Sequence, residues 1–299
     1  MPAGGRWCGA DEVHSREDET MPIDESLVGR SGPAVRRSWT ADDAMLYAIS
    51  VGAGQINPLS ELAFTTENTC GHEQLVLPTF ANVALGVELP LPDDVDMTKM
   101  LHAEQAFELA GTLATSGAVN SRCEIAGVYD KGSGALVETV TTAHDDAGSL
   151  AATLRTSVFF RGYGGFGGDR GPSSSWELPT RAPDHVVIYA TRSDQALLYR
   201  LTGDRNPLHT DPSFSSRGGF ERPILHGMCT YGYTGRALLH TAADSDPKRF
   251  RSMSGRFTKP IVPGETLTVS IWVDGETARF RTTDSAGNAV IDRGRALIG

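Results

Sequence analysis

The tripeptide Asn-Pro-Leu occurs twice in this 299-residue chain, at Asn57-Pro58-Leu59 and at Asn206-Pro207-Leu208, 149 residues apart. That offset is half the chain, and the surroundings repeat in the same order. Tyr47 and then Gly54-Gln55 precede the first copy; Tyr199 and then Gly203-Asp204 precede the second. Pro78 and Pro223, 145 residues apart, each stand before an apolar segment, and both halves finish in strand-like runs. A period this long predicts a duplicated α+β unit, and roughly 150 residues per copy is a normal domain size. The copies differ where chemistry would sit. Asp204 occupies the place of Gln55, and His209 the place of Ser60. The asymmetry puts the reactive groups in the second half.

Local patterns divide the chain further. Residues 1–24 are Gly-rich and then densely charged and read as a disordered tail, with Met21 a possible alternative start. Trp39 to Val51 has helical spacing and carries Asp42 and Asp43 near its start, where carboxylates suit a helix N-terminus. Leu62–Thr65 reads as a short strand. Thr79–Val87 is almost wholly apolar, a buried element whose type periodicity alone does not decide. Gly134–Thr142 and Ala151–Phe160 read as strands joined by a turn at 145–148. Residues 161–184 are Gly/Pro/Ser-rich and mark a linker or functional loop. A strand at Val186–Ala190, a helical stretch over 191–203 and a helix over Ile224–Leu239 follow. A meander closes the chain: Gly264–Val273, Thr277–Thr283 and Ala289–Ala296, with hairpin turns at Asp274-Gly275 and 284–287.

Composition removes several function classes. A net charge of −10 with no basic tail disfavours general binding to phosphate backbones, which draws on Lys and Arg. Cys8, Cys70, Cys123 and Cys229 are scattered and form no C-x-x-C pair, as expected of free thiols in a reducing compartment. No apolar run reaches the roughly 18 residues of a membrane span, and the N-terminus lacks a secretory h-region. The expected location is therefore the cytoplasm.

The segment from Gly203 to Pro212 is dense in acid–base groups. A turn at Asn206-Pro207 can bring Asp204 and His209 to one point, and an imidazole near its ordinary pKa exchanges protons at neutral pH. The plain alternative is a polar loop whose Asp side chains cap backbone amides. A metal set drawn from Asp204, His209, Asp211 and His226 is a third reading, without supporting ligand spacing. Cys229 near His226 is as well explained by a buried helix thiol as by a nucleophile, and no G-x-S-x-G elbow occurs. His226-Gly227 opens a helix, where free N–H groups and a close backbone approach could hold an oxyanion. Gly162 to Gly167 fits G-x-G-x-x-G formally, but Asp169, Gly171 and Pro172 follow instead of a helix, so a dinucleotide site is not expected.

Tyr199-x-Leu201-x-Gly203-Asp204-x-Asn206-Pro207-Leu208-His209-x-Asp211-Pro212, followed by Pro223-Ile224-x-His226-Gly227, resembles the hydratase 2 motif of the MaoC-like family. Leu77-Pro78-Thr79-Phe80, Leu101-His102-Ala103-Glu104-Gln105 and the glycines of 162–168 extend the likeness over about residues 25–299, with Ala103 where relatives usually carry Gly. The resemblance implies a double hotdog: two antiparallel sheets, each wrapped around a long central helix, with Thr79–Val87 and His226–Leu239 in the two helices. It implies an N-terminal hotdog over 25–160, degenerate and acyl-binding, a linker over 161–184 and a catalytic hotdog over 185–299. It further implies reversible hydration of a trans-2-enoyl-CoA to a (3R)-3-hydroxyacyl-CoA, a lyase reaction of fatty-acid metabolism needing no metal or redox cofactor. Asp204 and His209 would be the acid–base pair. Asn206 would hold the loop and water, and the Gly227 amide would meet the thioester oxygen. Glu67 draws attention as a further site residue. Arg170, Arg217 and Lys259 are candidates for the CoA phosphates, and a homodimer is the expected assembly. A non-catalytic acyl-CoA-binding protein is the alternative on the same fold.

Overall fold

The computed structural model describes residues 23–172 and 175–299. Most of the expected N-terminal tail lies outside them, but Ile23 is buried and Asp24 caps a 3-10 turn at Glu25–Leu27, so these two residues belong to the fold.

Each half runs strand, helices, then four strands. The first holds β1 (Val35–Trp39), α1 (Ala41–Ser50), α2 (Leu62–Thr65), α3 (Ala81–Ala84), β2 (Met100–Leu109), β3 (Gly117–Asp130), β4 (Gly134–His144) and β5 (Leu150–Arg161). The second holds β6 (His185–Ala190), α4 (Gln195–Tyr199), α5 (Pro212–Arg217), α6 (Gly227–Ala242), β7 (Phe250–Phe257), β8 (Thr266–Asp274), β9 (Thr277–Thr283) and β10 (Ala289–Ile298). The strand order is β1-β3-β4-β5-β2-β7-β10-β9-β8-β6. Read outward-in from each edge, both halves follow the same first-third-fourth-fifth-second order, which is the duplication the sequence echo predicts. The two expected sheets are one sheet, because β2 pairs with β7 from Glu104↔Arg256 to Glu108↔Ser252.

The halves differ in their helices. In the second, α6 has 16 residues and is buried along most of its length. Its partner in the first half is a 3-10 turn at Pro78–Phe80 followed by the four-residue α3, not a long helix over Thr79–Val87. Small residues on α6 explain why the two halves pack so closely. A Cβ at Gly232 would lie 2.4 Å from Val51 Cγ1, and one at Gly235 would lie 2.3 Å from Thr79 Cγ2. The helix thus uses glycine where first-half side chains cross it.

Local chemistry fixes the ends. Thr40 and Asp43 form a reciprocal capping box on α1, a device worth about 1 kcal/mol. Leu62–Thr65 is a helical turn rather than a strand. The Thr65 and Thr66 hydroxyls donate back to the Glu61 and Leu62 carbonyls, which closes the turn. The segment after β5 is held on Asp130 at the end of β3, whose carboxylate accepts the amides of Gly132, Gly165 and Gly167 at 2.7, 2.9 and 2.8 Å. The amides of this glycine loop therefore cradle a protein carboxylate. Beyond it, the Trp176 indole donates to the Gly294 carbonyl and Trp272 donates to that of Arg181, so the segment is tied along the second half's strands.

Candidate active site

The loop between α4 and α5 carries the predicted residues. Gly203 has φ +134, a conformation glycine favours, and turns the chain out of the 3-10 turn at Arg200–Thr202. Asp204 then accepts the Asn206 amide at 3.1 Å, and the Asn206 side-chain oxygen accepts the Leu208 amide at 3.0 Å. Pro207 starts the 3-10 turn Pro207–His209. Two nested side-chain turns bring His209 back towards Asp204, as the Asn-Pro spacing predicts. Asp211 caps α5 through the amides of Ser213 and Phe214, which occupies its carboxylate locally.

Asp204, His209 and His226 each present one side-chain atom within 4.8 Å of the others. The Asp204 side chain is exposed, whereas His209 is 8% exposed and His226 fully buried. His209 Nδ1 is 2.9 Å from the Ile224 carbonyl, which only accepts, so Nδ1 carries the proton and the Nε2 lone pair is left for chemistry. His226 Nε2 is 3.3 Å from the backbone carbonyl of Asp204, which likewise puts its proton on Nε2. The imidazoles stack at 3.7 Å with planes 30° apart, and the Tyr199 ring packs on His226 at 4.9 Å between centroids. Burial lowers the His209 pKa below its usual value, against the pull of the Asp204 charge. Burial and the neighbouring His209 push His226 down to about 3. Both rings are neutral at pH 7.

His226 is the functional neighbour that sequence reasoning passed over, having weighed it only as a metal ligand and as a helix opening. Its role here is to hold the backbone of the Asp204 loop and to support His209. The Nε2 proton of His226 is committed to the Asp204 carbonyl, so that nitrogen offers no lone pair to a metal. Cys229 is fully buried against the Ser50 carbonyl, and burial raises its thiol pKa well above normal, which suits packing rather than nucleophilic attack.

Gly227 is the first residue of α6, so its N–H has no intrahelical acceptor. A Cβ there would lie 3.2 and 3.3 Å from the Phe257 ring. Gly227 directly follows His226, so the helix start adjoins the Asp204–His209–His226 cluster in sequence. Water can reach that cluster from the Asp204 side. An arrangement of this kind can polarise a carbonyl and move protons beside it.

The remaining candidates are dispersed. Glu67 is exposed just beyond α2, and Glu61 takes the buried place instead, paired with Arg236 at 2.8 Å and with His240 at 2.8 Å. Arg170 and Arg217 are exposed, with Arg217 over the Phe214 ring. Lys259 pairs with Asp284 at 3.1 Å. Among the described residues no helix is long and apolar enough to cross a membrane.

Residues 38–162 match the model of the MFE-2 hydratase 2 N-terminal domain, and residues 175–293 match the MaoC like domain. The chain is 43% identical to the Mycobacterium tuberculosis enoyl-CoA hydratase ChsH3, covering 93% of this chain and 99% of that one. It is 42% identical to 3-hydroxyacyl-thioester dehydratase Y of the same organism, covering 88% and 92%. Among solved structures, a MaoC-like dehydratase from Phytophthora capsici superimposes with a TM-score of 0.81 at 28% identity, covering 93% of this chain and 97% of that one. The expected cytoplasmic location is overturned by relatives from Drosophila, mouse, Arabidopsis, Neurospora and yeast, all of them named as peroxisomal proteins.

Proposed function

We propose a mechanism on the premise that this chain belongs to the MaoC-like, hydratase 2 family and catalyses a hydratase/dehydratase reaction on a CoA thioester. The observation that supports it is the cluster of Asp204, His209 and His226 side-chain atoms, the last of these residues directly preceding Gly227 at the start of α6. Water attacks the β-carbon of a trans-2-enoyl thioester, and negative charge moves to the thioester oxygen. The Gly227 N–H and the helix N-terminus stabilise that charge. The free Nε2 of His209 and the Asp204 carboxylate take a proton from water and return one to the α-carbon. Addition on one face gives the (3R)-3-hydroxyacyl-CoA, and dehydration retraces the path. The elements of water add across the double bond with no net change of oxidation state, so the chemistry calls for no electron carrier.

In this reading Asn206 is a positioning residue, because it shapes the loop without facing the reacting atoms. The N-terminal hotdog over 25–160 binds the acyl chain, the linker is 161–184 and the catalytic hotdog is 185–299. Arg170 and Arg217 supply cations for the CoA phosphates more readily than Lys259, which Asp284 already holds. The working unit is a homodimer.

The test is the loss of enoyl-thioester absorbance with crotonyl-CoA and then a medium-chain trans-2-enoyl-CoA, followed by chiral analysis. A 3R product supports the reading. A 3S product, or no turnover on either substrate, counts against it.

A further inference from the structure

The motif His102-Ala103-Glu104-Gln105 lies on β2, across the seam from the acid–base loop, and the mechanism above makes no use of it. Its geometry is unusual in one respect. Gln105, Phe107 and Leu109 face the core and Glu104 faces outward, so a regular strand would point His102 outward with Glu104. A β-bulge between His102 and Glu104 inserts Ala103 and reverses that parity. His102 is thereby turned inward. Ala103 is absent from the left-handed backbone region, so alanine meets the bulge without strain.

The seam opens at this point. The β2–β7 ladder stops at Glu104↔Arg256, while β2 continues to Met100 along β5 and β7 continues to Phe257 along β10. The His102 and Phe257 rings meet in the opening with centroids 4.8 Å apart. Phe257 is the ring that lies against Gly227. On its other side His102 is tied down. Its Nε2 is 3.0 Å from Gln105 Oε1. Gln105 is oriented in turn by its amide donating to Asn82 Oδ1 at 2.8 Å and by the Thr156 hydroxyl donating to Oε1 at 2.9 Å. Oε1 is therefore an acceptor, and His102 Nε2 carries the proton.

We propose that His102 is a positioning residue of the reaction, contributed by the first half: clamped by Gln105, its ring braces Phe257 against Gly227 and fixes the wall beside the thioester oxygen. The inference rests on the proposed role of Gly227. It gives a role to a histidine that the first half places inside the seam. Burial lowers the His102 pKa while the Asp204 carboxylate pulls it up, so the ring lies within reach of that charge and belongs to the site electrostatically as well.

The experiment compares wild type, His102→Phe and His102→Ala, all in the full chain, by kcat and KM on crotonyl-CoA, with thermal melting as the check on folding. Substrate misplacement is costly in rate, so His102→Ala is expected to lower kcat by about tenfold or more with KM within about twofold. His102→Phe keeps a ring against Phe257 and is expected to recover most of kcat. In an Asp204→Asn background the alanine change should cost little more, because the step it supports is already lost. Equal kcat in all three proteins would overturn the brace. So would a phenylalanine variant that is folded but as slow as the alanine one. Inactive wild-type protein would instead reject the underlying reading, and so the two failures are distinct.

Discussion

His209 and His226 stack at 3.7 Å, and each donates to a backbone carbonyl: His209 to Ile224, on the way into α6, and His226 to Asp204, in the loop before α5. The two rings thus stitch the acid–base loop to the start of the central helix by crossed anchors. Replacing His226 should damage the site through Asp204's backbone without removing a proton carrier. His226→Phe keeps the stack but not the donor, and is expected to lower kcat on crotonyl-CoA by about tenfold while leaving a folded protein. Unchanged kcat in a folded His226→Phe protein would refute the anchoring role.

Removing the proton carriers should be more severe. Positioned acid–base groups are worth roughly 10²- to 10⁴-fold in rate, so Asp204→Asn and His209→Ala should each cost that much in kcat. Because Asp204 is exposed, its amide variant should melt close to wild type. Steady-state kinetics beside a thermal melt separates the two effects.

The pH dependence follows from burial. His209 is neutral down to below its usual pKa of 6.5 because burial opposes its protonation, so the acid limb of the rate profile should lie below that value. For stability the sign is the same. His226 titrates near 6.5 when unfolded and at about 3 when folded, so the unfolded chain binds more protons in between. Its contribution is complete above pH 6.5 and is lost as pH falls towards 3, at about 1.4 kcal/mol per pH unit. Denaturant melts at pH 7, 6, 5 and 4 should show a falling midpoint, less steep in His226→Phe.

The duplication was legible because it left a repeated turn, and the loop around Asp204 was legible because its chemistry is local: Asx turns and a proline act over a few residues. β7 was not. Its sequence Phe-Arg-Ser-Met-Ser-Gly-Arg-Phe has no clean alternation, since Gly255 faces the core and a bulge shifts its register with β10. Leu62–Thr65 is too short for a period to distinguish strand from helix, and hydroxyl back-bonds decided it. The shortening of the first-half helix was hidden because Thr79–Val87 is apolar for another reason, namely its burial under α6. His102 was quoted as part of a motif, but its direction depends on a bulge that sequence alone does not announce.

The buried ion pair between the halves offers a prediction about how they are joined. Arg236 on α6 pairs with Glu61 at 2.8 Å, donates to the Val51 carbonyl at 2.9 Å and lies 4.2 Å from the Tyr189 ring centroid. Burial raises the Glu61 pKa, but bonds from His240, Arg236 and the Gly54 amide overcome it and hold the carboxyl at about 2. Removing one partner strands the other away from water, a loss of roughly 3–5 kcal/mol. Glu61→Ala should therefore lower the denaturant midpoint sharply, whereas the double change Glu61→Leu with Arg236→Met, which removes both charges, should recover part of it. Both proteins keep Asp204, His209 and Gly227, so whatever folds should still turn over substrate. A double variant no more stable than Glu61→Ala would show that packing at this crossing, rather than the stranded charge, sets the cost.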